Sequence, residues 1–297
     1  MNKTALFVCL ALGLLWGSNF IFMKWAVEYI SATQIVFARL VLGFVPVFIY
    51  ALSRRQLHWA DLRHSGHFLV MACLAAAVYY YGFVRGTELL PSGIAGAVSG
   101  SIPLFSVLAA VLILPDEKFT RPRVLGILIG LIGVVTIARP FDADLSHASA
   151  EGVAFMVAGS ISLGLSFVYA RRFVTPLNLS AAALTTYQLG FAALLMAFIT
   201  PMNGFDAIYE DAVATTALVV GMGLLGTGFA YILYYYIVSK LGAVGASSVT
   251  YLPPVVALFI GAILVKEPIE PIDYAASALI LGGVFLLNRP AKTRNDS

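Results

Sequence analysis

Few side chains in this sequence can do chemistry, and those that can mostly lie inside long apolar runs. Arg39 is the clearest case, about nine residues into a run that begins near Ser31. A cation at the centre of a membrane helix costs about 2.5 to 3.5 kcal/mol on the insertion scale unless it is satisfied. Its guanidinium either anchors the carboxylate of a bound molecule or pairs with carbonyl oxygens or a side chain such as Gln188. Trp16 and Asn19 stand three residues apart, and Ser162 and Ser166 four apart. Each pair therefore shares one helix face, which either lines a cavity or packs against another helix. Tyr79, Tyr80 and Tyr81 cannot all point one way, nor can Tyr234, Tyr235 and Tyr236, so each cluster divides between interface anchoring and cavity lining. Tyr80 and Tyr235 are the candidates for the lining, joined by Tyr187 and Tyr251, which fall deeper in their runs.

Pro103 and Pro253 lie in the middle of apolar runs, where a missing backbone donor kinks or breaks a helix. A break exposes backbone groups, which a membrane tolerates only where they line a cavity or are buried in protein. Ser99 and Ser101 before Pro103, and Ser248 and Tyr251 before Pro253, are thus candidate polar lining, with the two prolines as hinges. This constellation is one for binding rather than catalysis. His58, His64, His67 and His147 all lie outside the runs, and no nucleophile stands with a base. Cys9 and Cys73 offer no ligand spacing, so neither a metal nor a cofactor is expected. Gly221-Met-Gly223-Leu-Leu-Gly226 has the form G-x-G-x-x-G, but it sits in an apolar run without a preceding strand and reads as helix packing. The same holds for Gly126-x-x-x-Gly130.

The elements that must position these residues are membrane helices. Hydrophobic residues make up 60% of the 297 and charged residues 11%, about half the charged share of a soluble domain. Lipid must cover the exterior. Ten runs approach the length of about 20 residues that crosses a bilayer. They span Thr4 to Met23, Ser31 to Leu52, Phe68 to Val84, Pro91 to Leu114, Val124 to Ala138, Gly152 to Ala170, Ser180 to Thr200, Ala212 to Val238, Gly245 to Val265 and Tyr274 to Asn288. The first run has the look of a signal peptide, but it continues through Trp16, Phe20 and Ile21 as a first helix. With the amino terminus inside, the alternate loops from Lys3 to Arg294 carry 13 basic residues and the others only four, Lys24, Arg85, Arg139 and Lys266. This asymmetry predicts a multi-pass protein of the cell inner (cytoplasmic) membrane with both termini cytoplasmic. Basic residues spread in this way suit membrane topology, and no nucleic-acid partner is expected.

The segment from Ser92 to Pro140 recurs without gaps from Gly242 to Pro290, with ten identities in 49 positions. Pro103, Glu117 and Arg139-Pro140 return 150 residues on as Pro253, Glu267 and Arg289-Pro290. Such a repeat implies two related halves, residues 4–140 and 151–290. Five crossings per half force the second half to enter from the opposite side, so the halves are inverted. Inverted halves can open one central site alternately to each side of the membrane. Glu117 and Glu267 close their apolar runs, and either serve function, as their recurrence suggests, or structure the turn into the following helix.

Trp16-Gly17-x-x-Phe20-x-x-x-Lys24, Ala38-Arg39, the mid-helix Pro103 and Pro253, Glu117, Glu267 and the two Gly-Val-rich closing helices together resemble the EamA group of the drug/metabolite transporter superfamily. The resemblance runs from Thr4 to Pro290 and implies ten helices in two five-helix repeats. It also implies export of amino acids, other metabolites or drugs. One departure is Leu163 in the sixth run where the first has Trp16. The expected function is a secondary transporter exporting small amphipathic metabolites, with amino acids or related compounds as the leading class. A cationic-drug exporter is the alternative, and a non-transporting membrane enzyme or subunit a remote one. No Asp or Glu falls in the interior of a run, so gradient-driven export or weak proton coupling is expected.

Overall fold

The computed structural model describes residues 3–139 and 147–287, with the side chains of residues 3, 5, 147–149 and 241–248 outside that set. Ser248, Arg289 and the Pro140 and Pro290 ends of the repeat therefore lie wholly or in their side chains outside the described residues. Among the described residues the chain is helical, without strands. Eight helices are long and apolar enough to cross a membrane: α1 (Leu6–Ala26), α2 (Ala32–Ser53), α3 (Trp59–Leu89), α4 (Ser92–Ile113), α5 (Arg121–Ala138), α6 (Ala150–Leu177), α7 (Ala181–Ile199) and α8 (Ala212–Lys240). Two shorter apolar helices complete the set, α9 (Val249–Leu264) and α10 (Pro271–Leu287). The ten correspond to the ten apolar runs. α3 and α6 extend well beyond the runs because 3-10 and π turns carry polar residues such as Asp61, Arg63, Arg171 and Arg172 onto the helix ends.

Local signals explain several boundaries. Ser31 starts α2 with a capping box, its side chain accepting from the Gln34 amide while Gln34 returns a bond to the Ser31 amide. Gln34 also donates to the Pro201 and Asn203 carbonyls beyond α7, tying the two helix ends together. α4 is broken in the middle: its halves, Ser92–Ser99 and Ile102–Ile113, meet at Gly100-Ser101, and Pro103 falls in the first turn of the second half. α9 repeats the device, with a 3-10 turn over Ser248–Tyr251 and Pro253 in the first turn of the helix that follows. Proline is tolerated there because the first-turn amides have no intrahelical partner to lose.

Packing follows the repeat in inverted order. α1 packs on α8 and α9, and its counterpart α6 packs on α3 and α4. The pairs α2–α7, α4–α9 and α5–α10 map onto themselves, as helices straddling a pseudo-twofold axis must. Glycines record the same symmetry at atomic detail. A methyl group built on Gly126 would lie 2.6 Å from the Gly283 carbonyl oxygen, and one on Gly133 2.6 Å from that of Ala276. Shifting one contact by 150 residues and reversing the partners yields the other. Backbones this close are how membrane helices associate when the solvent is as apolar as their side chains. The glycine-rich stretch of α8 does the same work: Gly221 meets Phe22, Gly223 meets Leu42, and Gly228 meets Pro46.

A Gly283→Val substitution is expected to force α5 and α10 apart and destabilise the protein by about 1 to 3 kcal/mol. Gly282→Ala, which has open space around it, is expected to leave the detergent melting temperature unchanged.

Candidate functional site

Arg39 stands on α2 with only 3% of its surface exposed. Its Nε donates to the Thr227 hydroxyl at 2.9 Å, and its guanidinium carbon lies 3.9 Å from the centroid of the Tyr80 ring. The pairing with Gln188 considered from sequence is not formed; α8 and α3 supply the partners instead. Thr227 belongs to a π-helical segment of α8, Ala217–Phe229, and donates its own hydroxyl proton to the Met222 carbonyl at 2.9 Å. That commits the Thr227 oxygen to accepting from Arg39 and aims the guanidinium. π segments often occur where a side chain must be turned to a functional task.

The two terminal nitrogens of Arg39 donate no hydrogen bond among the described residues, and neither is fully enclosed. No carboxylate among those residues stands within ion-pair distance of it. A cation over a desolvated aromatic face gains about 2 kcal/mol, so one hydrogen bond and one ring meet part of the burial cost and leave the donors of the guanidinium's outer edge unused.

Aromatic and polar groups extend from Tyr80 on both sides. Tyr79 stacks obliquely on Tyr80 at 4.7 Å between centroids, and the Tyr231 hydroxyl lies beside that of Tyr80. Tyr231 leads to Tyr235 at 6.3 Å, and Tyr235 to Tyr50 at 6.3 Å. The Tyr235 hydroxyl is buried without a well-formed bond, with Thr185 beside it. Asn19 reaches the same region from α1, packed against Gly226, the residue before Thr227. Its side-chain oxygen is buried and unpartnered. The site thus offers an unneutralised cation, an unused amide acceptor and tyrosine walls.

The structure brings Asn19, Arg39, Tyr80 and Tyr235 to this centre and sends other candidates elsewhere. Trp16 packs with Tyr234, Leu12 and Val249, its ring 5.9 Å from that of Tyr234. Ser162 donates to the Leu74 carbonyl and ties α6 to α3, whereas Ser166 donates to Leu163 within its own helix. Tyr187 stacks on Phe68 and donates to the His58 carbonyl at 3.0 Å, at the bundle end that also holds Gln56 and Asp61. Tyr251 packs with Leu104, Ile127, Val284 and Leu287 rather than near Arg39. Ser99 donates to Gly96 within α4, whereas the Ser101 hydroxyl at the α4 break is buried and unpartnered. Sequence reasoning missed Thr227, Tyr231 and Tyr50. A lone hydroxyl in a glycine-rich stretch was the one available signal for Thr227.

The ends of the bundle carry the charges. Glu117 is held below the ordinary carboxylate pKa, first by its bond to Arg171 and also by Arg123, against the opposing effect of burial. A depressed pKa stabilises the fold above the ordinary carboxylate range and loses that contribution as pH falls through the lowered value. At the other end Arg139 bonds Asp273 at 2.7 Å and Glu270 at 2.9 Å. The buried Asp273 is thereby paired across the α5–α10 contact.

A family model for EamA-like transporters matches residues 3–139 and 150–289. The chain belongs to the EamA-like transporter family. Similar proteins include an uncharacterized transporter of Archaeoglobus fulgidus, 25% identical over 92% of this chain and 95% of that one. The uncharacterized inner membrane transporter YedA of Escherichia coli is 27% identical over 93% of this chain and 88% of its own length. One crystal structure covers 97% of both chains with a TM-score of 0.61 at 19% identity, which shows the shared fold. This EamA-family chain is therefore a multi-pass membrane transporter built from two inverted five-helix repeats.

Thr227→Val keeps the shape but removes the acceptor for Arg39 and should lower stability by about 1.5 to 3 kcal/mol, the loss of one bond to a charged group. Thr227→Ser should restore it, as read by the melting temperature in detergent.

Proposed function

We propose that this protein exports small amphipathic metabolites, with amino acids or related compounds as the leading class, by alternating access around Arg39. The observation that carries this reading is the buried guanidinium, bonded to Thr227 and stacked on Tyr80, that has no carboxylate partner among the described residues. A substrate carboxylate would supply the missing charge and accept two parallel bonds. The unpartnered Asn19 oxygen offers an acceptor to an ammonium group on the same molecule. Tyr80, Tyr231 and Tyr235 would pack the apolar part. Ser101, with its free hydroxyl at the α4 break, would add a further polar contact, and Pro103 and Pro253 would mark the turns that bend. The excess of basic residues on alternate loops supports cytoplasmic termini and a place in the inner membrane. Export of cationic drugs is the second reading; the lone cation at the centre disfavours it.

Transport is expected to run down the substrate gradient, because the acid buried in the helices among the described residues, Asp273, is already paired with Arg139. Counterflow of labelled amino acids in proteoliposomes tests this directly. Arg39→Ala should reduce exchange at least tenfold. Arg39→Lys, a point charge without the planar fork, should recover only part of it. Exchange of cationic drugs that Arg39→Ala leaves intact, or strictly proton-driven uphill transport, would overturn the reading.

A further inference from the structure

The repeated glutamates have different partners at the two ends of the bundle. After α9, Glu267 reaches across to the start of α4, its Oε1 accepting from the Ser92 amide at 2.8 Å and its Oε2 from the Gly93 amide at 2.9 Å. Those amides are the free donors of a helix start, and a carboxylate suits both them and the helix dipole. Lys24, at the end of α1, does the converse for α3. Its ammonium donates to the carbonyls of Thr87, Glu88 and Leu90 at 3.2, 3.1 and 3.0 Å. The turn joining α3 to α4 is therefore gripped on both sides by charges from other helices.

At the opposite end the equivalent residues are joined to each other. Glu117, 150 residues before Glu267, pairs with Arg171 at 2.5 Å and Arg123 at 2.8 Å. Arg171 follows Lys24 by 147 residues and sits on α6, the repeat partner of α1. The backbone differs as well. Lys266 adopts a left-handed φ of 58°, and the Glu267 amide reaches back to the Gly261 carbonyl at 2.8 Å. The Glu117 amide instead donates to the Leu114 carbonyl at 3.2 Å, and Asp116, the counterpart of Lys266, is not left-handed. One repeated sequence element thus holds two conformations in one molecule.

We infer that Glu267 and Lys24 form the gate of their end of the bundle. That end is closed when Glu267 holds helix amides and Lys24 holds helix carbonyls, and released when the two bind each other, as Glu117 and Arg171 do at the opposite end. The opposite end has Val111 where the repeat puts Gly261, so it does not close by the same contact. The inference rests on the alternating-access reading but not on the substrate class. Turning Glu267 onto Lys24 would free the end of α3 and the start of α4 together, so their turn moves as a unit. Gly261 makes the closed arrangement possible, because a methyl group there would strike the Glu267 carboxylate and lie 2.9 Å from Gly93 Cα.

The test uses the full chain in proteoliposomes with Cys9 and Cys73 replaced by alanine. A reporter, Met23→Cys, is placed at a buried position of α1 between Asn19 and Lys24. The readout is its modification rate by a membrane-impermeant maleimide, without substrate. Glu267→Gln retains an acceptor but loses the charge, and should raise the rate about tenfold, the effect of losing one charge-assisted bond. Lys24→Gln and Gly261→Ala should act in the same direction. Arg139→Gln breaks an ion pair at the same end that ties α5 to α10 rather than the α3–α4 turn, and should leave the rate at its basal value. Equal acceleration by Arg139→Gln would reveal general loosening and overturn the gate. So would an unchanged rate in Glu267→Gln and Gly261→Ala proteins that melt like the parent. No substrate enters the assay, so failed amino-acid counterflow would count against the proposed cargo and not against the gate.

Discussion

The buried charge of Arg39 is the constraint around which the centre of this protein is arranged. In a lipid-covered bundle a cation must be met by protein groups, because water is not there to meet it. α8 answers with a hydroxyl and α3 with a ring face, and both belong to helices that pack on α2. Neither answer supplies negative charge. The result is a centre that is structurally tolerated yet holds a positive charge with no carboxylate partner among the described residues, the feature on which the proposed binding of a carboxylate rests. The π segment of α8 matters here because it lets Thr227 spend its proton on Met222, five residues back, and turn its lone pairs to Arg39.

That arrangement depends in turn on how closely the helices approach. Gly43 faces Thr227, Gly226 faces Asn19, and Gly223 faces Leu42, so the glycines of α2 and α8 bring α1, α2 and α8 to the short range at which Arg39 can be reached. The same use of small residues joins α5 to α10 at the pseudo-twofold axis. Close backbones without interlocking large side chains give firm association along a helix pair, whereas Leu104 and Tyr251 pack in one cluster beside the breaks of α4 and α9. Rigid paired helices around broken ones are the usual mechanical basis for moving one repeat against another.

The repeat and its inversion were legible from the chain itself, because duplicated Pro, Glu and Arg-Pro landmarks and an odd number of apolar runs per half survive any detail of packing. Helix number followed for the same reason, since hydrophobic length is a local property. The ends of α3 and α6 did not, because 3-10 and π turns let polar residues continue a helix past its apolar stretch. Among candidate site residues, Arg39 and Asn19 were legible because buried polarity is visible in sequence. Tyr187 was not: its depth in an apolar run conceals that its hydroxyl reaches the His58 carbonyl in the loop before α3.

Sequence alone therefore determined the membrane environment, the ten helices, the inverted halves and the polar residues that demand explanation, since each follows from composition, spacing and parity. Tertiary structure decided which of those residues share a space and which partners they take. Ser162 and Ser166 have the spacing of a lining pair but bond to backbone carbonyls, while Thr227, with no periodic signal, becomes the partner of Arg39. Glu117 and Glu267 carry the same position in the repeat yet hold an arginine pair in one case and helix amides in the other. A sequence repeat fixes equivalence of position, but the contacts of each copy depend on which helices stand opposite it, and those differ between the two ends of the bundle.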